Sequence, residues 1–361
     1  MSELLQYLES NPRVYKKAER LPLWDRVKSG PACRMARDGH WKKLLNYSAA
    51  KLALRAGLSW VPSKPYHLCV DPSTACQLRC PFCLHISGYE HGNRFMPFED
   101  YKTLLRELGA TLFRIDLSKG SEPFLHPRIL DMVALAHNYG IETTLSSNLN
   151  HLPPGGAQAV ARSGLDLLIV SADGASQESY EKYRVGGDFD TVTRNMRDIM
   201  RAKKEFGLSS PYVCWQFFVF KHNQHEIKKA VELACELGVD QIMFHPPYVP
   251  DELKAQWQTD LPEFSVFDYC HSHIKQDSCV WPWGSLNIRP DGTVSLCYLD
   301  NTSVGNIKDI RHFMDEHWNG EYFKKARRLI KERTNSGSAP DLNAPHPCAR
   351  CHAMGKINFS V

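Results

Sequence analysis

The sequence predicts an α/β protein whose parallel sheet is wound as a partial (β/α)6, TIM-like barrel. A helical N-terminal extension precedes the barrel and a small C-terminal α+β unit follows it. Three observations carry this. Between residues 66 and 250, strand-like runs alternate with runs of helical periodicity, six units in all. Helical runs end near Gly, as at Tyr139-Gly140 and Leu237-Gly238, and a β-rich run follows each. Directly after the first strand-like run, His67-Leu68-Cys69-Val70-Asp71, come Cys76, Cys80 and Cys83, spaced C-x3-C-x2-C. Repeated βα units put their reactive loops at the strand C-termini, and the cysteine trio stands at such a place.

Residues 1–65 read as short helices broken at Pro22, Gly30-Pro31 and Gly39. The run from Trp41 to Leu58 places apolar residues at helical spacing with Lys and Arg between them. Such a helix packs on the main domain, or it is a basic amphipathic helix that meets a membrane or an acidic partner. Cys33 has no ligand partner nearby in sequence.

In the barrel region, 66–270, strands are expected at 66–71, 112–117, 141–146, 166–171, 212–220 and 240–245. Helices are expected at 98–109, 127–139, 154–163, 188–206 and 224–237. The loops after the strands hold the candidate chemistry. Ser118-Lys119-Gly120-Ser121-Glu122-Pro123 follows strand two, and a Gly there lets main chain approach a ligand closely. Ser146-Ser147-Asn148-Leu149 follows strand three. Strand four ends in Ser171-Ala172-Asp173-Gly174, with Tyr180 to Arg184 beyond. Gln216 lies in strand five, Asn223 is a plausible N-cap, and strand six ends at His245-Pro246-Pro247-Tyr248. Cys69, Cys214 and Cys235 fall in strands or on a helix and read as core residues. A composition shift near 250–275 marks a linker.

The last region, 271–361, opens with Cys279. Alternating runs on either side of Pro290-Asp291-Gly292 form a β-hairpin that brings Cys279 toward Cys297. After a helical stretch at about 309–333, Cys348-Ala349-Arg350-Cys351 supplies a tight pair. Four thiolates fill an iron–sulfur cluster or a tetrahedral zinc site, and their spacing does not choose between the two.

Composition narrows the class. The hydrophobic share of 43% supports a sizeable core, and a net charge of +4 over 361 residues gives no electrostatic case for nucleic-acid binding. Twelve cysteines at metal-ligand spacings in a long chain point to a reducing compartment. The start, Met1-Ser2-Glu3-Leu4-Leu5, lacks the basic and apolar run of a signal peptide, and no stretch has the apolar length of a membrane span. A cytoplasmic protein is expected.

Three thiolates on one short loop can hold three corners of a [4Fe–4S] cluster, which leaves one iron without a protein ligand. That spacing, with Phe82 just before the last Cys, resembles the signature of the radical S-adenosylmethionine (SAM) enzymes. The resemblance implies that the open iron binds SAM and that the reduced cluster cleaves it to a 5′-deoxyadenosyl radical. Gly120, Ser121 and Glu122 are similar to the family's Gly-Gly-Glu-Pro turn, which contacts the SAM amino group; Ser121 departs from the second Gly. Ser147 lies in a turn similar to Thr-Asn-Gly, with Leu149 at the usual Gly. By the same resemblance Ser171 faces the ribose and Arg184 pairs with the SAM carboxylate, a task suited to a guanidinium. The second cysteine set resembles the start of the SPASM extension. Without further cysteines before Val361, it looks like the shortened Twitch form with one auxiliary [4Fe–4S] cluster, as in the 2-deoxy-scyllo-inosamine dehydrogenases.

The resemblance implies hydrogen-atom abstraction from a substrate, with electrons delivered by a flavodoxin- or ferredoxin-type donor. A fully ligated auxiliary cluster favours oxidation, so the first expectation is dehydrogenation of a small sugar- or cyclitol-like molecule. Peptide modification is the alternative, although residues 1–65 lack the strand pattern of the family's peptide-binding module. Radical epimerisation would need a Cys hydrogen donor, for which Cys270 and Cys214 are candidates. Arg289, His85, His222 and His245 lie near expected strand ends or the hairpin and are further candidates, each also readable as structural.

Overall fold

The computed structural model describes residues 3–11, 35–83, 94–264 and 279–351, apart from residues 119, 248, 299, 301, 339 and 342. Cys33, His85 and Cys270 lie outside these residues. Six parallel strands form the barrel wall: β1 (His67–Val70), β2 (Arg114–Asp116), β3 (Glu142–Ser147), β4 (Leu167–Ser171), β5 (Tyr212–Phe218) and β6 (Gln241–His245). Each lies within a few residues of its expected place. Before the barrel come α1 (Glu3–Glu9) and α2 (Trp41–Ala56), and between the strands run α3 (Phe98–Leu108), α4 (Ile129–Asn138), α5 (Gly156–Arg162), α6 (Gln177–Tyr183), α7 (Phe189–Glu205) and α8 (Ile227–Leu237). The short helix α6 is not legible as a separate element in the sequence; Ser176 starts it by accepting a bond from the Ser179 N–H.

The sheet does not stop at six strands. The hairpin strands β7 (Ser285–Ile288) and β8 (Thr293–Ser295), with β9 (Gly305–Asn306), continue it in the order β6-β5-β4-β3-β2-β1-β7-β8-β9. Among the described residues β6 and β9 are its ends, so the sheet is open. β1 is thereby paired on both edges, with His67 opposite Arg114 on one side and Ser285 on the other. All four β1 residues are buried. Leu68 and Val70 join the main apolar core, while His67 bonds to Ser285 Oγ and Asp116 Oδ2, both at 3.1 Å. Alternation along one strand thus separates an apolar face from a polar one.

Part of the stretch expected as a linker is ordered against the barrel. Lys254–Trp257 forms a short helix, α9, and the Lys221 N–H donates to the Trp257 carbonyl at 3.0 Å. Beyond α10 (Trp281–Gly284) and the hairpin, α11 (Glu321–Ser336) and α12 (Pro347–Arg350) close the described chain.

One side chain ties the segment before the barrel to the C-terminal region. Arg327 of α11 is fully buried. Its guanidinium donates to the carbonyls of Pro282 (2.9 Å), Ser59 (2.8 Å) and Trp318 (2.9 Å), and to Asn319 Oδ1 (2.9 Å). With no carboxylate in that set, burial pulls its pKa down to about 9. Replacing Arg327 with Ala strands several buried acceptors at once. The expected loss is at least about 3 kcal/mol of unfolding free energy, measured by denaturant titration of the full chain.

Candidate active site

The loop from Asp71 to Cys83 leaves β1 at the C-terminal end of the sheet. Backbone bonds brace it from two neighbours: the Glu122 N–H donates to Ala75 O (2.8 Å), and the Arg79 N–H to Val185 O (3.0 Å). Cys76, Cys80 and Cys83 come close enough for their charges to interact. Burial pushes the Cys76 thiol up to about 11 and the Cys80 thiol upward too, against the pull of Arg184. Asn148 Nδ2 stands 3.9 Å from Cys76 Sγ, and Arg184 Nη1 3.9 Å from Cys80 Sγ. Such donors favour sulfur in its anionic, metal-binding form. Phe82 packs on Tyr183 and Trp257, with ring centroids 5.0 and 5.2 Å away. Phe220 completes this aromatic wall.

The other strand ends converge beside the loop. Glu122 is buried; its Oε1 accepts from Ser147 Oγ (2.7 Å) and the Phe124 N–H (3.1 Å), and its Oε2 from the Asn148 N–H (2.7 Å). Burial outweighs these bonds and raises its pKa to about 7. Ser147 therefore clamps two strand ends together. Leu149 follows it at φ 55°, the left-handed conformation that explains why Gly is usual there, and its side chain is wholly buried. Gly120 donates its N–H to Asp71 Oδ1 at 2.9 Å. Ser121 Oγ is buried without a partner among the described residues. Ser171 Oγ lies 3.2 Å from Ser146 Oγ and 3.5 Å from Gln216 Oε1. Arg184 Nε donates to the fully buried Asp173 at 2.6 Å. Burial alone would lower the Arg184 pKa, and the Asp173 carboxylate more than reverses that. Asp173, Asn148 and Trp257 received no role from the sequence. Asp173 and Asn148 stood inside the quoted turns, but only the fold shows their contacts; Trp257 lay in the expected linker.

Cys214 sits lower in the barrel among Leu167 and Met243, as a core residue would. His222 bonds the Ser179 carbonyl at 3.2 Å and stacks on Phe220. Arg289 directly follows Ile288, which pairs with Val70, so the hairpin delivers it to the edge of the sheet that carries the cysteine loop.

The second set also converges. Cys348 feels the charges of Cys279, Cys297 and Cys351, and burial raises it strongly. Burial pushes Cys279 up to about 12. Arg333 of α11 holds the tight pair by donating to the carbonyls of Cys348 (2.6 Å) and Cys351 (3.1 Å). Tyr298 lies near all of Cys279, Cys297 and Cys351, and near Cys69 of β1. Among the described residues no three of these groups are close enough for a single metal ion; partly buried thiols that interact electrostatically at this looser spacing suit the larger iron–sulfur cluster, which would offset the cost of their ionisation.

Residues 70–213 match the family described as "Radical SAM superfamily", and residues 279–352 that described as "Iron-sulfur cluster-binding domain", SPASM. The chain belongs to the radical SAM enzymes. Within them it is of the kind that carries a SPASM domain, and its cofactors are SAM, a [4Fe–4S] cluster and further iron–sulfur. It is 25% identical over 264 residues to the "PqqA peptide cyclase" of Ruegeria pomeroyi, covering 66% of this chain and 69% of that one. It is 25% identical over 167 residues to the "AdoMet-dependent heme synthase" of Methanosarcina barkeri, covering 46% of each. Among solved structures the fold is similar to Streptococcus suis SuiB, with a TM-score of 0.57 at 16% identity over 79% of this chain and 72% of that one.

The Asp173–Arg184 pair yields a direct test. Asp173→Ala leaves a guanidinium buried without its carboxylate. It should lower the unfolding free energy of the cluster-free chain by about 3–5 kcal/mol, read by denaturant titration. Asp173→Leu combined with Arg184→Met should recover much of that loss.

Proposed function

We propose that this chain uses a SAM-derived radical to modify a peptide. The similarity to the PqqA peptide cyclase carries the reading: it extends over 66% of the chain, against 46% for the heme synthase. The open sheet supports it, because a barrel left unclosed between β6 and β9 can admit an extended chain from the side. Dehydrogenation of a sugar or cyclitol, the first expectation from the cysteine pattern, is the weaker reading on the same comparison. The lack of a strand pattern in residues 1–65 then means only that any peptide is gripped elsewhere.

In this proposal Cys76, Cys80 and Cys83 hold the SAM-binding cluster, and Cys279, Cys297, Cys348 and Cys351 hold one auxiliary [4Fe–4S] cluster. When bound, these groups supply a 5′-deoxyadenosyl radical at the barrel mouth and an iron–sulfur centre for electron transfer beside the hairpin. The protein positions and shields. Glu122, with Gly120 and the unpartnered Ser121 hydroxyl beside it, receives the SAM ammonium. Ser171 meets the ribose, and Arg184, anchored through Nε by Asp173, turns toward the carboxylate. Phe82 and its aromatic neighbours keep water from the cluster side. Arg289, at the mouth, is placed to hold the substrate. Gln77, Arg79 and Pro81 form the exposed outer face of the loop, where a flavodoxin- or ferredoxin-type donor can approach. Among the described residues no helix is long and apolar enough to cross a membrane; a reducing, cytoplasmic setting suits thiols that are to ligate iron.

Anaerobic reconstitution should give about eight irons per chain. Incubation with dithionite, SAM and a short peptide encoded beside the gene should give 5′-deoxyadenosine and a peptide lighter by two hydrogens. Turnover of a cyclitol or sugar but of no such peptide would overturn the reading. Cys→Ala at any of the trio should abolish adenosine formation. SAM affinity should also depend on pH. Glu122 is protonated below about pH 7 in the SAM-free protein, so an ammonium must displace that proton to bind. Affinity should fall by up to roughly tenfold per pH unit below that point and level off above it, in equilibrium titrations.

A further inference from the structure

We propose that the outward face of α2, with Leu58 and Trp60, docks on an anionic phospholipid bilayer. A surface helix ordinarily turns its apolar stripe inward and its charges out; α2 packs Ala50, Ala53 and Leu54 inward, yet it also buries a lysine and turns its largest apolar side chains out. Its inner face buries Lys43, whose Nζ donates to the carbonyls of Tyr139 and Gly140 at 2.7 Å each. Its outer face carries Trp41, Leu45 and Leu52, exposed by 60%, 69% and 64%. At 3.6 residues per turn these three fall within about 40° of one another. Just past the helix end, Leu58 and Trp60 are exposed as well, by 47% and 56%.

Charge selects the partner. From Gly39 to Val70 the sequence has no acidic residue, while Lys42, Lys51, Arg55 and Lys64 are all cationic. Against the flank of α2 lies a cavity of about 820 Å³ whose lining mixes apolar Leu52, Leu54 and Trp283 with Lys51, Arg55 and Lys331, so an acyl chain and a phosphate headgroup would both find partners there. A peptide partner would want its apolar anchors met by a groove. Here Trp41 and Leu45 stand on the crest of the helix and Leu52 at the lip of the cavity, with cations along the sides, which is the form of an interfacial helix. The 16-residue α2 is too short to span, so it would lie in the membrane surface. This inference does not depend on what the radical modifies.

The test is co-sedimentation of the full-length holoenzyme with vesicles of phosphatidylcholine alone and of equimolar phosphatidylcholine and phosphatidylglycerol. Binding is expected only to the anionic vesicles, with a blue shift of Trp emission. Raising salt from about 0.1 to about 1 M, which shortens the screening length about threefold, should weaken it. Leu45→Glu with Leu52→Glu should reduce partitioning by roughly tenfold or more. Lys42→Glu with Arg55→Glu, both at exposed positions, should do the same. Both variants should keep the wild-type melting temperature and SAM cleavage, because the altered side chains lie away from the cysteine loop. Absence of binding to anionic vesicles overturns the proposal. So does equal binding by the Leu variant, or a concentration-dependent dimer that the Leu variant breaks while vesicles capture nothing.

Discussion

Everything at the barrel mouth depends on β1 being hydrogen-bonded along both edges. The strand has only four residues, and the cysteine loop leaves directly from its end. A short strand at the rim of a sheet frays and offers its open edge to other chains. Here β2 covers one edge and β7 the other, and the Asp71 N–H adds a bond to Ile288 O beyond the paired residues. The direction in which three thiols are presented is thereby fixed by backbone rather than by side-chain packing. Because β7 comes from the C-terminal region, the radical-generating barrel and the auxiliary-cluster region share one sheet. Neither is a bead on a string.

The same economy runs through the strand ends. The Ser121 hydroxyl apart, the polar groups named there are bonded to one another: Glu122 joins the ends of β2 and β3, Asp173 reaches both Arg184 and the Phe218 N–H, and Ser146, Ser171 and Gln216 link β3, β4 and β5. Satisfied buried networks are stiff, and a charge left in one without its partner is expensive. A site that must hold a sulfonium within reach of one iron gains from that stiffness.

Much of this was legible in the residues. Six strands and the long helices followed from periodicity, because each buries one face against the other layer. The cysteine spacings and the turns at Ser118–Pro123 and Ser171–Gly174 stood out because metal and ligand chemistry restrict residue type. Besides the short helix α6, three features were not legible. The pairing of β7 with β1 joins positions more than two hundred residues apart, and nothing local encodes it. Trp257 reaches the aromatic wall from a stretch whose composition reads as linker. Arg327 looks like any charged residue of a helix until the fold supplies four acceptors around it. The chemical outcome was the hardest to read. The cysteines report which cofactors bind, whereas the substrate is set by the shape and lining of the mouth.

Leu149 shows how finely such a mouth is balanced. A left-handed turn costs a non-glycine residue about 1–2 kcal/mol, and burying the whole leucine side chain returns about 1.5–3 kcal/mol. Glycine there would relax the backbone but hollow the interior; a branched residue would suit neither. The two contributions nearly cancel, so the position is caught in a shallow local optimum that single substitutions leave only at a loss. Exchange of this leucine for glycine would therefore bring little gain unless its neighbours repacked as well.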